Sequence, residues 1–284
     1  MASIGLNFIY GSVLVAALFH ALWNALIKGS PDKLLSAIGI TGFATLLAVL
    51  SLPWMTQPAL ASWPCLATSL VLQVTYMRLV AKIYRESDMS VSYPVMRGTA
   101  PLLVALASAA FFQDALSPAA MAGVGTICAG ILCLGWPSDR GSSRPSNLKL
   151  ALLNALVIAS YTLVDGTGAR LSEAPASYTM WVFLLQGTVM VAMAMPKHRQ
   201  ALFLHVRTYW KAAVLGGFGT VISYGVALWA MTLAPIAIIA ALRETSILFG
   251  VLISGIFLHE RLTAARMVGA CILVLGAIVL RLAP

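Results

Sequence analysis

The chain reads as apolar runs of about 20 residues separated by brief polar turns, and these runs recur from end to end. A helix rises about 1.5 Å per residue, so about 20 apolar residues cross the roughly 30 Å hydrocarbon core of a bilayer. On this measure the pattern predicts ten transmembrane helices, over 7–27, 34–54, 63–84, 91–112, 119–137, 148–170, 176–195, 208–231, 234–258 and 264–282. The turns carry punctuation such as "GSPDK", "RESD", "SPAA" and "PSDRGSSRPS". They are too short to hold a soluble catalytic domain, and the longest polar stretch, about 138–147, falls midway. The expected fold class is an all-α polytopic membrane protein.

Composition agrees: 60% of the 284 residues are hydrophobic and 10% are charged, against roughly 25% charged in a soluble domain. Lysine and arginine then orient the chain, because they are retained in cytoplasmic loops. The turns after helices 1, 3, 5, 7 and 9 hold thirteen of them: Lys28, Lys33, Lys82, Arg85, Arg140, Arg144, Lys149, Lys197, Arg199, Arg207, Lys211, Arg261 and Arg266. The opposite side holds Arg170 and Arg281. Both termini are therefore expected outside. The net charge of +9 marks topology rather than nucleic-acid binding, for which loops this short cannot build a solvated basic surface. No basic residue precedes the first span, which is too long for a signal-peptide core, so it is expected to be a retained helix of a complete chain. Cys65, Cys128, Cys133 and Cys271 all fall in apolar runs without CxxC spacing, so they read as packing residues rather than disulfides or zinc ligands.

An internal repeat says more than any local motif. A shift of 146 residues lays 96–134 on 242–280, placing Arg97 on Arg243, Thr99 on Thr245, Ser108 on Ser254, Phe111 on Phe257, Asp114 on Glu260, Leu116 on Leu262, Gly123 on Gly269 and Gly130 on Gly276. The expected organisation is a first five-helix repeat at 1–137, a polar linker at 138–147 and a second repeat at 148–284. Five is odd, so the second repeat enters the membrane inverted. The turn holding Asp114 has no basic residue, whereas its counterpart holds Arg261 and Arg266. Inverted repeats around a mid-membrane site are the signature of alternating-access transporters.

"FFQDALSPAAMAGVGTICAGI" and "FLHERLTAARMVGACILVLGAIV" each close a half with an acidic residue, a turn and a glycine-spaced helix. In this the chain resembles EamA-type halves of the drug/metabolite transporter superfamily, over nearly its whole length. The first half departs from the usual acidic–basic pair, since Ala115 follows Asp114. The resemblance implies a carrier of the kind found mostly in bacterial inner membranes, generally driven by an ion gradient or by exchange, many of them exporters of amino acids, metabolites or drugs.

Helix faces give the candidate site, since residues three and four apart share a face. His20, Trp23 and Asn24 do so on helix 1, and Tyr161, Asp165 and Gly168 on helix 6; a shift of 141 residues pairs His20 with Tyr161 and Asn24 with Asp165. Helix 3 adds Gln73 and Tyr76, helix 7 Trp181 and Gln186, and helix 8 Ser223 and Tyr224. On helices 4 and 9, Arg97, Pro101, Val104 and Ser108, and Arg243, Ser246, Gly250 and Ser254, form small-residue stripes expected to be the core contact between halves. Pro101 is expected to loosen its helix and free carbonyls for a cavity.

An ionised group in hydrocarbon costs about 2.5–3.5 kcal/mol even on the lenient insertion scale, so Arg97, Arg243, Glu244 and Asp165 need reasons. For the arginines the readings are a carboxylate or phosphonate site or a gate, against carbonyl capping and snorkelling. For Glu244 they are a water-filled cavity, against an ion pair with an arginine on another helix; Arg243 is no partner, because adjacent helical residues diverge. Asp165 is the first choice for a coupling proton. His20 titrates in a useful range or is held by a neighbouring helix. Tyr76, Tyr161 and Tyr224 line an aromatic pocket or anchor at the interface.

No HExxH, GxSxG or metal-ligand spacing is present, so no enzyme, cofactor or metal is expected. A receptor would need loops that these turns do not supply. The expectation is an exporter of a small amino acid-like or drug-like metabolite, with proton coupling or exchange. The alternative is an importer of a small anionic or zwitterionic nutrient, such as a phosphonate or choline-like compound. The expected partners are that small molecule, membrane lipid and a proton, in a monomer or homodimer.

Overall fold

The computed structural model describes the backbone of residues 5–86, 89–111, 116–134, 147–257 and 264–283, and their side chains except at 84–86, 89–91 and 254–257. Those residues fold into helices α1 (Leu6–Lys28), α2 (Lys33–Ser51), α3 (Trp63–Glu86), α4 (Met89–Phe111), α5 (Pro118–Leu134), α6 (Leu148–Leu171), α7 (Pro175–Thr208), α8 (Trp210–Met231), α9 (Ile236–Arg243), α10 (Ser246–Phe257) and α11 (Ala264–Leu282), with no strand among them. The turn punctuation has a local cause. Asp32 accepts from the Leu35 amide at 2.9 Å to start α2, Ser117 from Ala120 at 3.2 Å to start α5, and Asn147 from Leu150 at 3.3 Å to start α6. Among the described residues, eight single helices and the α9/α10 pair are long and apolar enough to span a membrane; α5 is a shorter apolar helix.

Two spans depart from expectation. α7 does not stop at 195 but continues for 34 residues through Pro196, about 51 Å at helical rise. Hydrophobicity fades there while helix-forming residues continue, and the extension becomes amphipathic, with Leu202 buried against Leu35 and Ile38 of α2. The ninth span is broken into α9 and α10 at Glu244–Thr245. Its counterpart α4 stays helical through both Pro94 and Pro101, so the loosening expected at Pro101 is instead a break in the other half.

Helix pairing obeys a two-fold exchange that sends α1–α5 onto α6, α7, α8, α9/α10 and α11. α5 lies along α11 and α2 along α7; α3 packs on α6 as α8 packs on α1; α4 packs on α6 as α9/α10 pack on α1. The crossing of α5 and α11 shows the inversion residue by residue. A Cβ on Gly276 would sit 3.0 Å from the Gly123 carbonyl oxygen and 2.7 Å from the Ile127 nitrogen; one on Gly130 would sit 2.9 Å from the Gly269 carbonyl oxygen and 2.7 Å from the Leu273 nitrogen. The pairs 123 with 276 and 130 with 269 exchange under the shift of 146, and they put the two helices antiparallel with their backbones in contact.

The glycine spacing is therefore packing, as its sequence pattern suggests. The small stripes of α4 and α9 do not make the main contact between halves: α4 does touch α9, but α5 with α11 is more extensive. Gly250 of the second stripe faces open space, and the side chain of Ser254 lies outside the described ones.

Replacing Gly130 or Gly276 by alanine should force the α5 and α11 backbones apart and destabilise the fold by about 1–3 kcal/mol. Gly125→Ala, on the open face of α5, should leave thermal unfolding unchanged; equal effects at all three positions would refute the crossing.

Candidate functional site

The break in the ninth span is held by local hydrogen bonds. Ala241 and Leu242 carbonyls accept from the Glu244 and Thr245 amides at 3.0 and 3.1 Å, a tighter three-residue return, and the Thr245 hydroxyl takes the Leu242 carbonyl at 2.7 Å. The charges sit where helix dipoles favour them: Arg243 ends α9, where the partial charge is negative, and Glu244 precedes α10, where it is positive. An interruption about 12 Å into the span is the device by which carriers place polar groups at mid-membrane.

Glu244 takes the ion-pair reading. Its Oε2 lies 2.9 Å from Arg97 Nε, with the side chains 8% and 11% exposed. The atoms meet outside the alignment of a directed hydrogen bond, so the contact is chiefly Coulombic. It joins the α4 of one half to the broken span of the other, where either charge alone would be expensive. Arg243 points elsewhere, 5.1 Å above the Tyr224 ring centroid. Arg97, Pro101, Tyr161, Thr162, Arg243 and Glu244 line one narrow cleft with room for about one water molecule. This conformation is closed around its charges.

Asp165, fully buried on α6, is the second centre. Gln73 Nε2 on α3 donates to its Oδ2 at 3.3 Å, the Tyr178 hydroxyl on α7 to its Oδ1 at 3.1 Å, and the Tyr224 hydroxyl on α8 to Oδ2. Gln73 also donates to Ser69 at 3.1 Å. These donors are all neutral. Hydrogen bonds to a buried carboxylate are charge-assisted, which is how the site holds a charge without a contacting cation. Gly168, one turn beyond Asp165, makes the room: a methyl there would overlap the Tyr178 hydroxyl.

The remaining candidates divide. Tyr76 and Tyr161 stack edge to face at 5.8 Å, bridging α3 and α6 beside the cleft. His20 and Trp23 stack at 5.1 Å on α1, and Trp23 packs over Gly219 of α8 with its ring N–H buried and unbonded. The Asn24 amide turns back to the His20 carbonyl at 2.7 Å, so its donor serves its own helix and the expected match with Asp165 in the site is not made. Arg170, one of the two basic residues of the sparsely charged side, caps the end of α8 through the Met231 and Ala234 carbonyls at 2.8 and 3.0 Å.

Two contacts close the molecule above and below this centre. At the end opposite the basic turns, Trp181 donates to Gln57 at 2.9 Å, stacks on Trp63 at 5.0 Å, and the Ala59 amide donates to the Ser172 carbonyl at 3.0 Å. At the basic end, His205 and Ser36 hydrogen-bond at 2.8 Å. Each joins a part of one half to the other. Trp181 therefore belongs to a closure rather than the central pocket.

Sequence reasoning missed Tyr178, Gln57, Ser36 and His205. Tyr178 reads as a membrane-edge anchor, and its signal is the small face Gly168 presents beside Asp165. The closure residues lie in different halves, and no spacing along the chain joins them.

These features define a class: a polytopic α-helical membrane protein of two inverted halves, with a polar cleft at a broken mid-membrane helix. The model of the EamA-like transporter family matches residues 146–282, the second half of the chain. That match supports an EamA-type membrane transporter of the drug/metabolite transporter superfamily. A crystal structure of another protein superposes with a TM-score of 0.73 over 96% of this chain and 95% of its own, at 17% identity, a likeness of fold. No curated protein matches by sequence.

Removing one member of the buried pair, by Arg97→Met or Glu244→Leu, should cost about 3–5 kcal/mol, and the double variant should recover most of it. Thermal unfolding in detergent reads this; additive losses would show that the two groups do not depend on each other.

Proposed function

We propose that the protein is a secondary-active carrier of the bacterial inner membrane, with both termini outside, that exports a small organic metabolite by alternating access, with Asp165 carrying the coupling proton. The supporting observation is the division of charge at the broken span. Arg97 and Glu244 neutralise each other, leaving Arg243 on an aromatic ring and Asp165 among neutral donors. Arg243 is then the cation available to an anionic group of the cargo, and Asp165 the carboxylate free to exchange a proton. Glu244, whose charge is matched, holds the halves in register.

The two closures supply alternation. Opening the Gln57–Trp181 contacts while Ser36–His205 stays bonded exposes the cleft to one side, and the reverse exposes it to the other. A second reading rests on Arg243: a cation in no salt bridge among the described residues serves equally well for uptake of an anionic or zwitterionic nutrient, such as a phosphonate or choline-like compound. Transport by either route needs no catalysis, and a single chain supplies both halves, so a monomer suffices.

Ligands come from thermal-shift screening of amino acids, phosphonates, quaternary amines and aromatic drugs, followed by uptake of a hit into proteoliposomes. Asp165→Asn should lose accumulation driven by an imposed pH gradient at least about tenfold while keeping counterflow of the same compound. Accumulation equal to the wild type would remove Asp165 from coupling.

A further inference from the structure

Tyr224 touches both free charges of the site. Its hydroxyl donates to Asp165 Oδ2, its ring carries the Arg243 guanidinium at 5.1 Å, and Phe183 packs edge-on against it at 6.0 Å. A cation over an aromatic face draws electron density from the ring and makes a phenol a stronger hydrogen-bond donor. The strength of the bond to Asp165 thus depends on whether Arg243 rests on the ring.

Resting on the reading that Asp165 is the coupling carboxylate, we propose that Tyr224 is a positioning residue that reports the occupancy of Arg243 to Asp165: an anion that draws Arg243 from the ring weakens the phenol's bond and frees the carboxylate to take a proton. The phenol neither binds the cargo nor carries the proton. Its geometry makes cargo loading and protonation one event, so an empty carrier keeps Asp165 fully bonded and an occupied one does not. Other groups also surround Asp165. Cys65, Ser69 and Gln73 face it from α3 and Tyr178 from α7, with Tyr161 on its own helix. Of the groups that contact Asp165, Tyr224 is the one with a cation seated on it.

The test is a double-variant cycle on the full-length protein in liposomes, reading the Asp165 carboxyl by infrared difference spectroscopy as pH is stepped, the band being identified by its loss in Asp165→Asn. Arg243→Gln should shift the titration midpoint by about one pH unit, the size of a desolvated cation–π contact. In a Tyr224→Phe background, which keeps the ring and loses the hydroxyl, the same change should shift the midpoint clearly less, the remainder being the direct Coulombic pull of Arg243 on Asp165. Fluorotyrosine at 224, a stronger donor of nearly the same size, should shift the midpoint opposite in sign to Tyr224→Phe. Equal shifts from Arg243→Gln in both backgrounds would show that the arginine acts through space and overturn the role of Tyr224 alone. A band that does not titrate in the wild type would overturn the coupling reading and this inference together.

Discussion

The pair formed by Arg97 and Glu244 is the constraint around which the rest of the structure is arranged. Two ionised groups mid-membrane are tolerable because they meet each other, at 2.9 Å and nearly out of reach of solvent. The meeting requires α4 to face the ninth span across the boundary between halves, and requires that span to break where Glu244 can turn towards α4 while Arg243 turns away. The break also leaves a helix end of favourable sign beside each charge. Packing, dipole and pairing thus agree on one location, and the same location carries the free arginine and lies beside the buried aspartate.

Around that centre the two-fold exchange divides the labour between rigid and movable contacts. The α5–α11 crossing brings backbone against backbone at Gly123, Gly130, Gly269 and Gly276, a contact that leaves no space for sliding. The closures at the two ends are of another kind: hydrogen bonds and side-chain packing between halves, Gln57 and Trp63 with Trp181 at one end, and Ser36 with His205 beside Leu35, Ile38 and Leu202 at the other. Each net hydrogen bond is worth about 0.5–1.5 kcal/mol, small enough to break and reform during a transport cycle. Side-chain contacts at both ends and backbone contact at the core are the arrangement the proposed alternation would use.

Much of this architecture is legible in the sequence. Apolar run length gives the spans, and the shift of 146 gives the repeat because arginines and glycines recur at equivalent positions. Arg97, Arg243, Glu244, Asp165, Tyr161 and Tyr224 can be chosen from the sequence, and the structure gathers them at two neighbouring centres joined by Tyr224. Which arginine pairs with Glu244 is not legible, because it depends on a break that apolar residues on both sides conceal. The length of α7 escapes for a related reason: hydropathy records where a helix leaves the bilayer, not where it ends, and 196–208 stay helical on the amphipathic packing of Leu202 and His205 against α2. Asn24 misleads because its face is right while its donor is used by its own backbone. Tyr178 is missed because Gly168, on another helix, makes the room it needs.

The central claim is that one closure opens while the other holds. With the four native cysteines replaced, spin labels at exposed positions 60 and 171 would span the Gln57–Trp181 end, and labels at 34 and 204 the Ser36–His205 end. Distances measured by pulsed electron resonance in lipid across a pH series should each show a short and a long population, the long one growing at one end as it shrinks at the other. Distances that stay short at both ends, or lengthen at both together, would contradict the account.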